Sequence, residues 1–232
     1  MLRLASYNMH KGVGLDRRRD PERILAVLKE VNADIVTLQE ADRRFGDRAG
    51  ALPRQLIDDL TDYQVADLAG LPMSLGWHGN AILVRRSITV SAADRIPLPV
   101  IEPRGAVRAD VVIDGRPLRA VGMHLDISGL RRRQQVRSIM AHCRECQPAL
   151  PTVLMGDLNE WSRTGGALRE FGHDFRVLSP GASFHSRRPV AQLDRIVVSS
   201  GVEVLGCGVH HSAAAALASD HLPVWVDIRL PD

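Results

Sequence analysis

Residues 107–123 read VRADVVIDGRPLRAVGM and carry the clearest indication of the fold. Two alternating, largely apolar runs, 107–113 and 118–123, flank the pair Asp114 and Gly115. An Asp-Gly pair between such runs is typical of a two-residue hairpin turn, which joins antiparallel strands. The sequence therefore predicts a mixed sheet and argues against a purely parallel one.

Apolar and β-branched runs elsewhere predict further strands, whereas helical patterns are few. With the hairpin included, the predicted strands cover residues 2–7, 34–39, 81–84, 107–113, 118–123, 152–155, 194–199 and 224–230. The clearest helices are 21–31, where Asp20 is a cap and Pro21 suits the first helical position, and about 129–147. Because so few helices must cover so many strands, we expect an α/β (α+β) fold in which two mixed sheets pack together with helices outside.

The composition limits the class of protein. The 232 residues, 45% of them apolar, are enough for one sizeable core, so a single domain spanning 1–232 is the simplest interpretation. A formal net charge of +3 suits an anionic substrate but is small for a protein dedicated to nucleic acid. We expect neither a secretory signal nor a membrane-spanning segment. Three cysteines, an odd number, favour a reducing compartment, so a cytoplasmic location is expected and a monomer is assumed.

Cys143 and Cys146 form a CxxC pair inside the second predicted helix. A structural zinc site usually needs a second such pair, which this sequence lacks, so packing of two small residues on one helical face is the preferred interpretation. His210 and His211 are adjacent but have no third ligand nearby in sequence, and we interpret them as loop residues.

Arginine and loop segments leave two interpretations open. The runs 17–19 and 131–133 either contact phosphates or form solvated faces. The loops 43–53 and 95–105 are either substrate-facing segments or ordinary connections.

Polar side chains recur where the predicted strands end, and all of them are able to bind a cation or a phosphate. They are Asn8, Glu40, His124, Asp157 and Asn159, joined near the C-terminus by Asp194 and by the triplet Ser219, Asp220 and His221. One acid at a strand end is most simply a solvated turn residue, but a whole set of matching chemistry indicates a site. Hard oxygen ligands such as these suit Mg²⁺, which binds through one or two carboxylates plus substrate phosphate.

These residues resemble the ordered motif set of the endonuclease/exonuclease/phosphatase family, which includes DNase I. The motifs are Tyr-Asn-Met-His at 7–10, Leu-Gln-Glu at 38–40, Gly-Asn-Ala-Ile-Leu at 79–83, His-Leu at 124–125, Gly-Asp-Leu-Asn at 156–159, Leu-Asp-Arg-Ile at 193–196 and Ser-Asp-His at 219–221. Each motif alone is weak, but seven in the family's order span nearly the whole chain. The resemblance implies a four-layer α/β/β/α sandwich, in agreement with the packed sheets expected from the strand pattern.

The resemblance also implies a metal site. Glu40 would be the principal Mg²⁺ ligand, with Asn8 beside it and Asp220 as an additional contact. Mn²⁺ is expected to substitute for Mg²⁺.

Catalytic roles for five residues follow from the same resemblance. Asp157 would orient and deprotonate the attacking water, and Asn159 would hold the phosphate. His221, supported by Asp194, would donate hydrogen bonds to a phosphoryl oxygen. His124 resembles a second histidine that contacts phosphate or protonates the leaving oxygen.

The sequence departs from DNase I at Gly79 and Asn80. DNase I supplies at this place a glutamate partner for the histidine that His124 resembles, so acid catalysis by that pair is in doubt, and Asn80 is predicted to bind substrate. Asp126, two residues beyond His124 in an extended chain, is either a replacement partner or a surface acid.

The predicted function is a metal-dependent phosphodiesterase, nuclease-like, in which water attacks a phosphate ester in line with the leaving oxygen. Nucleic acid is one candidate partner. Phospholipids, inositol phosphates and other small phosphate esters are the alternative substrates, because a fold does not name its substrate. An aromatic content of 4% weakens the case for a single-strand nuclease. A non-catalytic phosphate-binding module is disfavoured because every matched catalytic position has a competent residue type.

Overall fold

Two six-stranded β-sheets pack face to face in the computed structural model of this protein, which describes residues 1–43, 49–68, 70, 72–99 and 104–231. The strands are β1 (Leu2–Asn8), β2 (Ile35–Gln39), β3 (Tyr63–Val65), β4 (Ala81–Arg85), β5 (Thr89–Ile96), β6 (Gly105–Ile113), β7 (Arg116–His124), β8 (Thr152–Asp157), β9 (Phe175–Leu178), β10 (Asp194–Ser199), β11 (Glu203–Val209) and β12 (Val224–Arg229). The order is β11-β12-β1-β2-β4-β3 in the first sheet and β5-β6-β7-β8-β10-β9 in the second.

Both sheets are mixed, as the sequence predicts. The pairs β1 with β2 and β7 with β8 are parallel, and the remaining pairs are antiparallel. The predicted hairpin joins β6 to β7, and its turn residues Asp114 and Gly115 have φ of 50° and 77°, as a two-residue hairpin turn requires. All eight predicted strands are present.

The helices are α1 (Pro21–Val31), α2 (Arg54–Leu60), α3 (Gly129–Glu145) and α4 (Ala213–Ala218), with short 3-10 helices at His10–Gly12 and Gly166–Phe171. Helix α1 begins as predicted, because the Asp20 side chain accepts a hydrogen bond from the backbone N of Arg23 and Pro21 occupies the first turn. Helix α3 confirms the second predicted helix. No helix in the described part of the chain has the length and apolar character needed to cross a lipid bilayer.

Three apolar clusters explain the layering. One lies between the sheets and contains Leu4 of β1 and Met155 of β8. A second packs the outer face of the first sheet against α1, with Leu25 and Leu28 fully or almost fully buried. The third packs α3 on the other sheet, around Ile139. Three buried interfaces between four layers give the expected α/β/β/α sandwich.

The two loops expected to be substrate-facing or ordinary connections are only partly described. Residues 44–48 of the first and 100–103 of the second lie outside the described residues. Arg95 and Ile96 belong to strand β5, so the second connection begins later than the sequence suggested.

Candidate active site

Strand register brings three of the predicted site residues side by side at one edge of the second sheet. His124 at the end of β7 is the register partner of Asp157 at the end of the parallel strand β8. Asp194, the first residue of β10, pairs with Asp157 from the other side. Because parallel strands end at the same edge and an antiparallel neighbour begins there, residues far apart in sequence converge.

Gly156 allows β8 to deliver Asp157 at this edge. A Cβ atom at position 156 would lie 1.8 Å from the backbone oxygen of Met123 on β7. Only glycine therefore fits directly before the Asp157 carboxylate without moving the backbone.

The carboxylate of Asp157 is the centre of the site. Asn8 Nδ2, from the end of β1 in the first sheet, donates to Asp157 Oδ2 at 3.1 Å. His124 Nε2 and His221 Nε2 lie 3.4 Å and 3.7 Å from the same oxygen. The other oxygen, Oδ1, accepts a hydrogen bond from the backbone N of Asn159 at 2.9 Å. Four polar groups therefore converge on one buried carboxylate from both sheets.

His221 is held by a second carboxylate. Its Nδ1 lies 2.8 Å from Asp194 Oδ2, which also accepts a hydrogen bond from Ser183 Oγ at 2.5 Å. Burial lowers the pKa of the His221 imidazole, but Asp194 and Asp157 outweigh it and raise the pKa to about 10. The ring is therefore a cation at neutral pH, with its Nε2 proton directed at the centre of the site.

Ser219 joins the histidine to the first sheet. Its hydroxyl donates to the backbone oxygen of Asn8 at 2.7 Å and accepts from the backbone N of His221 at 3.2 Å. The same oxygen lies 3.3 Å from Asp220 Oδ1, which is 4.0 Å from His10 Nδ1. The Ser-Asp-His segment thus places Asp220 near Asn8.

Glu40 follows β2 in a left-handed backbone conformation, with φ of 54°. A non-glycine residue in this region is uncommon and is typical of functional sites. Its carboxylate contacts the Lys11 ammonium group. Burial raises the pKa of Glu40, but the charges of His124 and Lys11 and the Lys11 hydrogen bond lower it to about 2. Glu40 is therefore an anion that already attracts a cation.

The donor atoms at this edge fit a hard divalent cation. Glu40, Asp157 and Asp220 supply carboxylate oxygens and Asn8 an amide oxygen, and Mg²⁺ needs only one or two protein carboxylates because it keeps several waters. Within the described ranges, no group of three or more His, Cys, Asp or Glu side chains lies close enough together to hold a metal ion by itself.

His124 has a different partner from the one suggested by the sequence. The Arg104 guanidinium contacts its ring, with the Nη1 atom 3.0 Å from Nδ1. Burial and the charge of Arg104 lower the pKa of His124 to about 4 despite Asp157 nearby. Asp126 Oδ1 instead accepts a hydrogen bond from the backbone N of Ser128 at 2.8 Å, before helix α3. The carboxylate of Asp126 is thus used in a turn.

Asn159 and Asn80 occupy different surroundings. Asn159 is left-handed, with φ of 50°, and its Nδ2 donates to the backbone oxygen of Leu125 at 2.9 Å. Asn80 is fully buried, and its Nδ2 lies 3.4 Å from the carbonyl oxygens of Trp77 and His78. Its Oδ1 has no hydrogen-bond partner among the residues the structure describes. Substrate binding by Asn80 stays a prediction.

Several other sequence features serve the fold. Cys143 packs against the apolar cluster under α3, and burial raises the pKa of its thiol to about 11. Arg132, in the run 131–133, is buried and pairs with Glu160 at 3.3 Å, so it is not a phosphate contact. The loop interpretation of His210 is confirmed, and its Nε2 lies 2.9 Å from Glu30 Oε2.

Three residues near the site were missed from the sequence. Lys11 directly follows the Tyr-Asn-Met-His motif, so its position was a usable signal. Arg104 lies in a loop without a motif. Phe184 forms an isolated antiparallel bridge with His221, and their ring centroids are 4.9 Å apart. Nothing in the local sequence of Arg104 or Phe184 indicates these contacts.

Comparison with known proteins identifies the family and supports the fold. The sequence model of the Endonuclease/Exonuclease/phosphatase family matches residues 5–221. D. rerio TDP2 complexed with a single-strand DNA product is similar at TM-score 0.77 and 16% identity, covering 98% of both chains. The human Nocturnin catalytic domain with bound sulfate is similar at TM-score 0.74 and 17% identity, and the match covers 99% of this chain and 94% of that one. Bacteroides thetaiotaomicron mannosyl-6-phosphatase Bt3783 is similar at TM-score 0.74 and 18% identity, and the match covers 99% of this chain and 100% of that one. No curated protein matches the chain.

Proposed function

This chain belongs to the endonuclease/exonuclease/phosphatase family, and from that premise we propose that it is a metal-dependent hydrolase of phosphate esters, with phosphodiesters as its first substrate class. The observation that carries the proposal is the convergence of Asn8, His124 and His221 on the Asp157 carboxylate. An anion held among donors at a strand edge is suited to take a proton from water beside a bound phosphate.

The reaction follows from the roles of these groups. Asp157 orients a water molecule and takes its proton as the water oxygen bonds to phosphorus. The ester P–O bond breaks, and the leaving oxygen keeps the electron pair and takes a proton from water. Asn159 positions the phosphoryl group. The cationic His221 donates a hydrogen bond from Nε2 to a phosphoryl oxygen, and this bond strengthens as negative charge develops. No covalent intermediate with the protein is needed.

Glu40 and Asn8 are the residues that would hold a divalent cation, with Asp220 as a further contact. When bound, the cation would neutralise charge on the phosphoryl group and polarise its oxygens. Mg²⁺ is the ion proposed, because the available donors are hard oxygens, and Mn²⁺ is expected to substitute.

The site residues indicate the type of reaction more clearly than they indicate which phosphate ester is the substrate. The structural neighbours include a protein bound to a single-strand DNA product and a mannosyl-6-phosphatase, so similarity of fold does not choose between diesters and monoesters. We place phosphodiesters first because most of the motifs resemble those of the nucleases in this family.

A substrate panel tests the proposal. The purified protein is assayed with Mg²⁺ or Mn²⁺ against plasmid DNA, RNA, abasic-site duplex, sphingomyelin, inositol phosphates and bis-p-nitrophenyl phosphate. We expect turnover of at least one ester and a loss of about 100-fold or more in Asp157→Asn. Asp174→Asn, at an exposed loop position, is the matched control and should keep the parental rate. Absence of hydrolysis with either ion, or full activity in Asp157→Asn, would contradict the proposal.

A further inference from the structure

Four large apolar side chains near the active site face water. They are Ile127, Leu130, Trp161 and Val190, with exposures of 68%, 67%, 67% and 74%. Single exposed apolar residues are ordinary on a protein surface, whereas several together mark an interaction site. We call these four residues the apolar rim.

Hydrogen bonds connect the first two loops of the rim. Asn159 Nδ2 donates to the backbone oxygen of Leu125, two residues before Ile127, at 2.9 Å. The buried Arg132 guanidinium donates to the backbone oxygen of Ile127 at 2.6 Å and to Glu160 at 3.3 Å. Ile127 and Trp161 are therefore carried by neighbouring loops fixed to the same guanidinium group.

Aromatic contacts connect the rim to the catalytic histidine. The ring centroids of Trp161 and Phe184 lie 6.4 Å apart in an edge contact, and those of Phe184 and His221 lie 4.9 Å apart. The backbone N of Val190 donates to the oxygen of Phe184 at 2.8 Å, which places Val190 on the same loop pair. The rim thus begins directly beside the site proposed for phosphate.

Positive charge accompanies these apolar residues. Arg163, Arg187 and Arg188 are exposed on the same loops as Trp161 and Val190. None of the three has a salt-bridge partner in the described part of the chain. The acid nearest in sequence to Arg163, Glu160, is buried and committed to Arg132.

We propose that the apolar rim and these arginines dock the protein on an anionic lipid surface, so that a phosphate ester in the headgroup layer reaches His221 and Asp157. This proposal rests on the phosphoesterase function proposed above. Exposed apolar residues combined with Arg are what an interfacial site requires, since the former enter the acyl boundary and the latter meet anionic headgroups.

The residue types in the apolar rim favour lipid over nucleic acid. Three of its four residues are aliphatic, and an aliphatic side chain offers no face on which a base stacks. Trp161 is its one aromatic member. Contact with a sugar-phosphate backbone buries little of an aliphatic side chain in apolar surroundings. Transfer of the same side chain from water to the acyl boundary of a membrane is favourable in free energy.

Vesicle binding tests the docking without catalysis. In EDTA, the protein is sedimented with phosphatidylcholine vesicles that contain or lack phosphatidylglycerol. We expect binding only with phosphatidylglycerol, together with a blue shift of tryptophan fluorescence that Trp161→Ala abolishes. The combined Ile127→Ser and Trp161→Ala variant should bind at least tenfold more weakly. Leu205→Ser, 41% exposed near the start of edge strand β11 and away from the site, is the matched control and should bind normally.

The arginines give an independent test. Neutralising Arg187 and Arg188 to Ser should weaken binding by about fivefold for each charge and lower its dependence on salt. Equal binding to vesicles with and without phosphatidylglycerol, or unchanged binding by the rim variant, would overturn the proposal. Weakened binding of single-stranded DNA by the rim variant, with unchanged vesicle binding, would overturn it in favour of nucleic acid.

A kinetic comparison separates this proposal from the phosphoesterase function. With Mg²⁺, the rim variant should lose at least tenfold more rate on vesicle phospholipid than on the soluble diester bis-p-nitrophenyl phosphate. Vesicle binding without hydrolysis of any ester would defeat the proposed function and leave the docking surface intact. Hydrolysis of the soluble diester without vesicle binding would defeat the docking surface alone.

Discussion

His221 Nδ1 lies 2.8 Å from Asp194 Oδ2, although 27 positions separate the two residues in sequence. This distance is within hydrogen-bond reach, and both side chains are buried. The carboxylate fixes the orientation of the ring and stabilises its cationic form, so the second nitrogen of the ring is held as a donor toward Asp157.

The pair is expected to act as one unit. Asp194→Asn and His221→Ala should each lower kcat by about 100-fold or more, because the first removes the carboxylate that keeps the ring cationic and the second removes the donor itself. The double variant should cost little more than His221→Ala alone, since effects within a unit are far from additive. Steady-state kinetics on a soluble diester measure all three variants.

The partly exposed pair His210 and Glu30, whose Nε2 and Oε2 atoms lie 2.9 Å apart, is the matched control. His210→Ala should leave kcat unchanged. Thermal unfolding checks that each variant folds, since Asp194 is fully buried. Additive losses in the double variant would show that the two residues act separately.

Activity should require a divalent cation and be lost in EDTA. Glu40→Gln should raise the Mg²⁺ concentration for half-maximal rate at least tenfold, because an amide replaces a carboxylate at the ligand position. The substitution also removes the carboxylate that pairs with Lys11, so some loss of stability is expected at neutral pH, and thermal unfolding is measured beside the Mg²⁺ titration. Titration of activity with Mg²⁺ measures the first effect, and Glu203→Gln at an exposed pair is the control. Full turnover in chelator would contradict the mechanism.

The cysteines should be dispensable. Cys143→Ser together with Cys146→Ser should keep the rate within a fewfold of the parent, because Cys143 packs from α3 into the apolar cluster and Cys146 directly follows that helix. Activity and metal content of the purified variant are measured together. Loss of bound zinc accompanied by loss of activity would instead support a zinc centre at the CxxC pair.

Glu160→Gln should destabilise the fold in a pH-dependent way. Burial raises the pKa of Glu160, but hydrogen bonds from the backbone N of Ala167 and Ser162 and the charge of Arg132 lower it below its usual value. A lowered folded-state pKa gives stability that is fully present above the unfolded pKa and is lost as pH falls through the folded pKa. The substitution should therefore cost about 3 kcal/mol at neutral pH, the scale of a broken buried ion pair.

Urea unfolding at neutral and acidic pH measures this difference. It should begin to shrink as pH falls below the ordinary glutamate pKa of about 4.3, where the carboxyl of the unfolded chain takes up a proton. It should be lost below the lower folded-state pKa, where the carboxyl of the folded protein is neutral as well. Glu170→Gln, which breaks the exposed pair with Arg137, is the control and should cost less than about 1 kcal/mol. A loss of stability for Glu160→Gln that is independent of pH would show that packing, not charge, is responsible.

The sequence predicted eight strands, and all eight lie inside the sheets. The four strands that it missed, β3, β5, β9 and β11, are the four edge strands. An interior strand is covered on both faces and has a neighbour on each side, so most of its residues are buried and apolar. Strand β5 alternates between exposed and half-buried residues along most of its length and carries no such signal.

The sequence by itself also determined which polar residues stand at strand ends, and it predicted that they form the site. Only the tertiary structure decided their partners. Strand register placed Asp157 between His124 and Asp194, and packing of the two sheets brought Asn8 to the same carboxylate. Arg104, rather than Asp126, lies against His124. These contacts join residues distant in sequence, so they depend on register and sheet packing, which no local pattern of residues encodes.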